Sequence, residues 1–341
     1  MCIRDSLLAD LIVFPYRRDE AAVGTLAQDE RYLRYVLSRY AAFPNVIWCL
    51  VNEWNYSILP HAYWDAMGRL ASREDPWARA GDNPRALTIH QQTRPDWNFP
   101  NATWPSHTDI QFGVRNLGTA TKVGDEWQQP ADGVGVFEHG DQWGNYSIVR
   151  NWTGEHPVVN DEFGYIGEPI DQSAGKQRGG NHPRLTREKH RNALWGIVVG
   201  GGYAAAGDKN DYADGRPYMS SNWHDVPEYG DLKRVADFFT APGLEYWKMT
   251  PHNEVITSGV RVYALAEPGR QYVIYAAAGG AFTVDLPAGD YTAHRFDPRT
   301  GDELSLRDIP GETSYEFSCP DPQDWVFRLS IVDRGSRTAA A

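Results

Sequence analysis

Residues 45–53, NVIWCLVNE, are the segment that best indicates the fold of this chain. The apolar part of the run shows no alternation with polar side chains and is rich in β-branched and aromatic residues. That pattern is typical of a strand buried on both faces of a parallel sheet. Asn52 and Glu53 follow the run directly. A carboxylic acid at the carboxyl end of such a strand lies where a parallel β/α barrel places its chemistry.

A second segment, HPVVNDEFGY at residues 156–165, has the same form and ends in Asp161 and Glu162. Successive strand residues point to opposite sides, so only one of these two acids can face the same site as Glu53. Two carboxyl groups about 5–5.5 Å apart can cleave a glycosidic bond with retention of configuration. Glu53 is the candidate acid/base, and Glu162 or Asp161 is the candidate nucleophile. The alternative is that these are surface acids that follow buried strands.

The composition favours a neutral, hydroxyl-rich partner over a charged polymer. The 341 residues carry a formal net charge of -12 and include 13 Trp. A negative chain is disfavoured as a partner of nucleic acid or of an anionic membrane surface, and no apolar run is long enough to cross a bilayer. Aromatic rings can stack on sugars, although core packing accounts for most of the Trp. Carbohydrate is therefore the expected partner.

No residue pattern predicts a metal or a cofactor. The three cysteines make no disulfide framework, and Cys49 is expected to be a small core residue inside a buried strand. The sequence lacks HExxH and CxxC arrangements, and the glycines at 200–202 are not followed by the GK[ST] of a phosphate loop. The acidic stretch DKNDYADG at 208–215 lacks EF-hand spacing and is interpreted as a solvated loop.

Predicted strands and helices alternate up to Pro242 in a β/α order. A (β/α)8 TIM-type barrel has eight strands; if Glu53 ends the fourth and Glu162 the seventh, the first two βα units are missing. Residues 1–6, MCIRDS, resemble translated sequencing-adaptor sequence, so we expect those units upstream of Met1 and the chain to be a fragment. A smaller α/β fold is the alternative. The predicted strands cover 9–14, 45–53, 85–91, 108–113, 156–164 and 200–207, and the predicted helices cover 29–43, 61–74, 186–198 and 231–239.

The C-terminal part has a different texture. Short alternating segments such as VRVYALA at 260–266 and QYVIYAA at 271–277 are separated by turn residues. This is typical of an antiparallel β-sandwich. The predicted domains are therefore a barrel catalytic domain at 7–242 and a β-sandwich accessory domain at 253–333.

Several of these segments resemble known families. The two acidic strand ends resemble clan A, the retaining (β/α)8 glycoside hydrolases whose fourth strand ends in Asn-Glu and whose seventh ends in the nucleophile Glu. The resemblance implies that Glu162, rather than Asp161, is the nucleophile. More narrowly, the chain is similar to apiosidase-like catalytic domains followed by a C-terminal domain named for collagen binding. The segments that carry this narrower resemblance are NVIWCLVNEWN, LTIHQQT, PVVNDEFGY, ALWGIVVGGGYAAAG, FDPRTG at 296–301 and DWV at 324–326.

Further substrate-binding candidates lie at the predicted strand ends. Asn52 can donate a hydrogen bond to a sugar 2-hydroxyl, a contact that strengthens in the transition state. Candidates at later strand ends are His90, Gln111 and Tyr203, and candidate aromatic walls are Trp54, Tyr56 and Trp223. Each has a structural alternative; His90, for example, can equally be a hydrogen-bonded core histidine.

The sequence thus predicts a retaining glycoside hydrolase that acts on a plant or microbial poly- or oligosaccharide. A non-catalytic carbohydrate-binding protein, or an inactive fragment of the enzyme, is the first alternative. An adhesion module that binds collagen is the second. Sugar identity does not follow from these residues, because loops build the pocket walls of barrel enzymes.

Overall fold

The computed structural model describes residues 8–15, 24–77, 85–92, 96–111, 121–123, 126–128, 140–166, 187–205, 207–208, 227–311 and 314–332. The chain divides into two compact units. The first unit is Met1–Phe112 with Arg150–Asp161, and the second is Gly113–Val149 with Glu162–Ala341. The domain boundary expected at 242–253 lies within the second unit and stays a prediction.

The described elements mix helices with parallel and antiparallel strands, as the α/β prediction requires. The helices are α1 (Leu26–Tyr40), α2 (His61–Glu74), α3 (Gly140–Asn151), α4 (Arg187–Val199) and α5 (Pro227–Phe239). The earlier strands are β1 (Ala9–Phe14), β2 (Val46–Val51), β3 (Leu87–Thr88), β4 (Gln91–Gln92), β5 (Thr108–Gln111), β6 (Thr121–Val123), β7 (Glu126–Gln128), β8 (Val158–Asn160), β9 (Tyr165–Ile166), β10 (Tyr203–Ala204) and β11 (Gly207–Asp208). The later strands are β12 (Thr250–Pro251), β13 (Ile256–Ser258), β14 (Val262–Glu267), β15 (Gln271–Ala276), β16 (Ala281–Asp285), β17 (Asp290–Phe296), β18 (Glu303–Ser305), β19 (Ile309–Pro310), β20 (Ser314–Ser318) and β21 (Trp325–Ile331).

Parallel strands form the centre of the first unit. β1, β2 and β3 pair in that order, and β4, β5 and β8 pair in a second parallel set. Leu50 and Val51 of β2 have no exposed surface, which confirms the buried strand predicted at 45–53. The carboxyl end of β2 therefore delivers Asn52 and Glu53 to one edge of a parallel sheet.

The segment predicted as one strand at 85–91 is two short strands, and that prediction was wrong. β3 pairs with β2, whereas β4 pairs with β5, and His90 lies between the two pieces. The chain leaves β2 here because the His90 carbonyl accepts a hydrogen bond from the Trp54 N–H, at 2.9 Å, beyond the end of β2. The interruption leaves His90 beside the Asn52–Glu53 turn.

Local signals explain the two helices of the first unit. α2 has the bounds that apolar spacing predicts, and it buries Trp64, Met67 and Leu70 on one face. α1 begins three residues before the predicted start because Thr25 and Gln28 form a reciprocal capping box. Within the described part of the chain, no helix is both long and apolar enough to cross a membrane.

The second unit contains a helix that the sequence does not predict. α3 lies in a Gly-, Trp- and Asp-rich segment with weak apolar periodicity, and tertiary packing against α4 stabilises it. A Cβ added at Gly144 would lie 2.7 Å from the Ala193 carbonyl oxygen, and one at Gly196 would lie 2.3 Å from that of Asp141. Glycines therefore allow the two helix backbones to approach closely.

Antiparallel sheets occupy the C-terminal part of the second unit. One sheet has the order β12-β14-β15-β21-β17-β18, with β19 also on β17, and the other has the order β13-β16-β20. Phe282 of β16 and Phe317 of β20 each place their ring centroid 5.1 Å from that of Phe327 on β21. The two sheets therefore share one aromatic core, which accounts for the alternating pattern of residues 253–333.

Candidate active site

Glu53 lies directly after β2 in an unusual backbone conformation. Its φ of 47° and ψ of 57° are left-handed, a region that costs a residue other than glycine about 1–2 kcal/mol. The residue is 5% exposed. Strained backbone at a buried acid is typical of functional positions, because the surrounding structure must hold it in place.

Two neighbouring segments hold this turn. The Glu53 N–H donates to Nδ1 of His90 at 3.2 Å, and the Asn52 N–H donates to the Phe14 carbonyl at 3.2 Å. Two residues later, the side chain of Asn55 bonds both the N–H and the carbonyl of Gln92, each at 2.9 Å. The turn is therefore fixed by β1 on one side and by residues 90–92 on the other.

His90 connects the Asn52–Glu53 pair to a further carboxyl group. Its Nδ1 is 2.8 Å from Oδ1 of Asn52, and its Nε2 is 3.3 Å from Oδ1 of Asp161. The imidazole is almost fully buried, with 2% of the residue exposed. Asn52, Glu53, His90 and Asp161 thus form one contiguous polar group at the ends of three strands.

A further aspartate extends this polar group. Asp109, inside β5, is 1% exposed, and neither of its carboxyl oxygens accepts an N–H or O–H from the described residues. Burial, followed by the charges of Asp161 and Asp10, raises the pKa of Asp109 well above its usual range. Its carboxyl faces that of Asp161, and the two form a hydrogen bond only when one is protonated. Asp10 lies in the exposed first half of β1; partial desolvation of its carboxyl, followed by the charge of Asp161, raises its pKa to about 6.

The remaining titratable groups near β2 do not form a metal site. Among the residues with described positions, no group of three or more His, Cys, Asp or Glu side chains is arranged to hold a metal ion. Cys49 is 1% exposed, and burial raises the pKa of its thiol well above the ordinary value. A neutral, buried thiol is the core residue that the sequence predicts rather than a nucleophile.

The other candidates in the first unit differ in exposure. Trp54 is half-buried and packs edge-to-face on Phe99, with ring centroids 5.1 Å apart, whereas Tyr56 is 42% exposed. Gln111 ends β5 and is buried, and its Oε1 has no hydrogen-bond partner among the described residues. A buried amide oxygen without a donor is available to a ligand, so Gln111 keeps its place among the candidates.

Two predicted residues belong to the second unit. Glu162 follows β8 in a turn and is half-buried, and Tyr203 on β10 is 50% exposed, with the pKa of its phenol raised by partial burial. Next to Glu162 in the chain, the ring of Phe163 packs on His190 with centroids 4.8 Å apart. Trp223 lies outside the described residues.

Sequence reasoning missed Asp109 as a member of the polar group. The available signal was a charged residue inside a strand that is otherwise buried, as in TDIQ at 108–111. Lys, Glu, Arg and Asp are almost never fully buried without a partner, so an acid at such a position indicates a special environment.

Known proteins that are similar to this chain are glycoside hydrolases, as the two acidic strand ends predict. The family described as "Apiosidase-like, catalytic domain" matches residues 15–207, more than half of the chain. No curated protein sequence matches the chain. Among solved structures, a glycoside hydrolase family 5 protein from Bacteroides vulgatus ATCC 8482 is similar, with a TM-score of 0.69 and 17% identity over 96% of this chain and 71% of that chain. Another, described as a glycoside hydrolase, has a TM-score of 0.67 and 16% identity over 91% of this chain and 70% of that chain.

Proposed function

Because the chain belongs to the apiosidase-like catalytic domain family and is a glycoside hydrolase, we propose that it acts on a plant or microbial poly- or oligosaccharide with retention of configuration. The observation that carries this proposal is the buried Glu53. It sits at the carboxyl end of a parallel strand in a strained turn, beside an amide and a histidine. That is the position and environment of a general acid in a parallel β/α enzyme.

The proposed reaction is a double displacement. Glu53 protonates the leaving glycosidic oxygen while Glu162 attacks the anomeric carbon, and a covalent glycosyl-enzyme forms. Glu53 then removes a proton from water, which attacks the same carbon and releases Glu162. Asn52 donates a hydrogen bond to the sugar 2-hydroxyl, which strengthens as positive charge develops on the sugar ring.

Glu162 is preferred to Asp161 as the nucleophile for two reasons. The resemblance to clan A supports the Glu of PVVNDEFGY as the nucleophile. In addition, the Asp161 carboxyl already faces Nε2 of His90 and the carboxyl of Asp109, so it is engaged inside the first unit. Asp161 is thereby suited to orienting other groups, which supports Glu162 as the nucleophile.

The finer fold assignments are part of the same proposal. The parallel strands belong to a (β/α)8 barrel in which Glu53 ends the fourth strand and Glu162 the seventh. Residues 253–333 form a β-sandwich accessory domain, consistent with two antiparallel sheets that share an aromatic core. Substrate contacts from His90, Gln111, Tyr203, Trp54, Tyr56 and Trp223 remain proposals.

Azide rescue tests the two carboxylates separately. Glu162→Ala should lose turnover by several orders of magnitude, and added azide should yield a glycosyl azide of inverted configuration relative to the substrate. Glu53→Ala should retain most activity in the glycosylation step on aryl glycosides with activated leaving groups, which need little protonation, and azide should accelerate its turnover. If the inverted glycosyl azide forms only from Asp161→Ala, the nucleophile is Asp161. Binding of oligosaccharides without turnover in the unmodified chain would favour the non-catalytic alternative.

A further inference from the structure

The left-handed turn at Glu53 needs an external source of stability, and His90 supplies contacts on both sides of it. The ring Nδ1 lies 3.2 Å from the Glu53 nitrogen, as acceptor of its N–H. The His90 carbonyl accepts the N–H of the next residue, Trp54, at 2.9 Å. One residue from a neighbouring segment therefore spans the strained position.

The same imidazole contacts the amide that precedes Glu53. Nδ1 is 2.8 Å from Oδ1 of Asn52, while Nε2 is 3.3 Å from Oδ1 of Asp161. Only 2% of the residue is exposed, so both ring nitrogens face protein atoms, and the contact of Nε2 with Asp161 is an ion-pair distance rather than a hydrogen bond. A ring in this arrangement is placed to orient protein groups, a role separate from the sugar contact that the sequence suggests.

The protonation state of Nδ1 determines which neighbour it can hydrogen-bond. The Glu53 N–H needs the Nδ1 lone pair, whereas the Asn52 carbonyl oxygen needs a proton on that nitrogen. A carboxylate at Nε2 favours a proton there, as carboxylates do when they orient a histidine ring. With that proton alone, Nδ1 accepts from Glu53; with a second proton, Nδ1 donates to Asn52 and leaves the Asn52 amino group to face a ligand.

We propose that His90 is a positioning residue that sets the Glu53 turn and the Asn52 amide for catalysis, and that Asp161 orients its ring. The inference rests on the proposed function, because it requires Glu53 to be the acid/base. Displacing a reacting group by about 1 Å costs on the order of 10²-fold in rate. Loss of the ring should therefore reduce kcat while the rest of the substrate-binding surface, and hence KM, changes little.

Two near-isosteric variants distinguish the contribution of Nδ1 from that of Nε2. His90→Asn keeps a polar atom near the Nδ1 position, and His90→Gln keeps one near the Nε2 position. His156→Asn, an exposed histidine in the same unit, is the matched control. On substrates with poor leaving groups we expect His90→Gln to lower kcat about 10²-fold and His90→Asn about tenfold or less. On activated aryl glycosides the losses in kcat/KM, which reports the glycosylation step, should shrink, because protonation by Glu53 is then unnecessary.

The leaving-group dependence separates positioning from a merely structural role. A variant that only folds poorly loses the same fraction of activity on every substrate, and such a uniform loss overturns the proposal. Wild-type kcat on poor leaving groups in both His90 variants also overturns it, while the Glu53 assignment stands. If Glu53→Ala itself matches wild type, the proposed function fails and this inference fails with it.

A variant outside the turn keeps the test decisive if the His90 variants do not fold. Asp161→Asn removes the charge at Nε2 without touching residues 52–54. We expect it to show the same leaving-group pattern with a loss of about tenfold, the low end of what removing an orienting carboxylate costs. Equal activity of Asp161→Asn and wild type across the leaving-group series would overturn the proposal.

Discussion

Buried carboxylates have different hydrogen-bond partners in the two units. In the second unit the carboxyl groups of Asp141, Asp231 and Asp324 are each held by an arginine through two nitrogens. In the first unit, Asp109 is equally buried but accepts no hydrogen bond from the described N–H and O–H groups. The second unit thus pairs three buried carboxylates with arginines, whereas in the first unit Asp109, inside β5, faces the carboxyl group of Asp161.

The contrast in how buried carboxylates are paired depends on their position near Glu53 and does not hold for every acid of the first unit. Asp75, in the first unit at the end of α2, accepts a 2.8 Å hydrogen bond from Nε1 of Trp48 and lies 3.9 Å from Nη1 of Arg85. Pairing is therefore available in this unit where an acid serves structure. Near Glu53, by contrast, the carboxyl groups of Asp109 and Asp161 face each other, and acids with shifted pKa values are typical of functional sites. Substitutions near Glu53 should therefore change mainly catalysis, whereas substitutions at the arginine-paired aspartates of the second unit should change mainly stability.

The largest effect is expected on turnover, from Glu53→Gln. Removing the general acid should lower kcat on unactivated substrates by about 10²–10⁴-fold. Unfolding free energy should change little, since Gln keeps the shape of the side chain. Steady-state kinetics and denaturant unfolding measure the two quantities, with Glu74→Gln, an acid at the partly exposed end of α2, as control. Comparable turnover in Glu53→Gln and Glu74→Gln would remove the functional side of the comparison.

In the second unit the expected effect is on stability. Asp324→Asn leaves the Arg191 guanidinium buried without its 2.6 and 2.8 Å partners, and breaking such a pair costs about 3–5 kcal/mol. The exposed pair of Asp237 with Lys233 offers a control, in which Asp237→Asn should cost less than about 1 kcal/mol. Equal costs in chemical denaturation would show that the buried arginine pairs are not what stabilises this unit.

The same chemical change should have the opposite sign at Asp109. Its pKa in the folded protein is raised by burial, so the wild type loses stability as pH rises above the ordinary Asp value of about 3.9, where the unfolded chain ionises. Asp109→Asn removes this term and should be more stable at pH 7 by about 1–3 kcal/mol, the cost of an unsatisfied buried polar group. The gain should vanish near pH 3. Denaturant curves from pH 3 to 8 measure it; a loss like that of Asp324→Asn would mean that Asp109 is paired after all.

His190 differs from the paired aspartates of the second unit. It is 1% exposed with neither ring nitrogen bonded within the described residues, and burial lowers its pKa to about 4. The unfolded chain takes up a proton near pH 6.5, so the wild type should lose stability as pH falls from 6.5 to 4. His190→Gln should flatten this dependence by up to about 1.4 kcal/mol per pH unit.

The control for that smallest effect is the exposed His156. His156→Gln should leave the slope of stability against pH unchanged, because the side chain that it replaces lies at the surface and not in the interior. Identical slopes for the two variants would mean that His190 finds a hydrogen-bond partner in solution.

Elements with strong local signals were predictable. The buried run of β2 and the apolar face of α2 are patterns of adjacent or helix-spaced residues, and the structure has both where the sequence indicates them. α3 was missed, since its glycines have weak helix propensity and matter only through contact with α4. The break between β3 and β4 was missed for a similar reason: it depends on hydrogen bonds between His90 and residues 51 and 54.

Residues that are adjacent in the chain sufficed to predict the parallel strand that ends in Asn52 and Glu53, a second acidic segment at 161–162 and the antiparallel texture after residue 253. The left-handed conformation of Glu53 and the contacts of His90 with Asn52 and Asp161 followed from the fold alone. The same is true of the contrast between Asp324, which an arginine holds, and Asp109, to which no described N–H or O–H group donates. The physical reason is the range of the forces involved. Strand and helix patterns depend on neighbours along the chain, whereas desolvation and charge pairing depend on groups from distant segments that meet only in the folded protein.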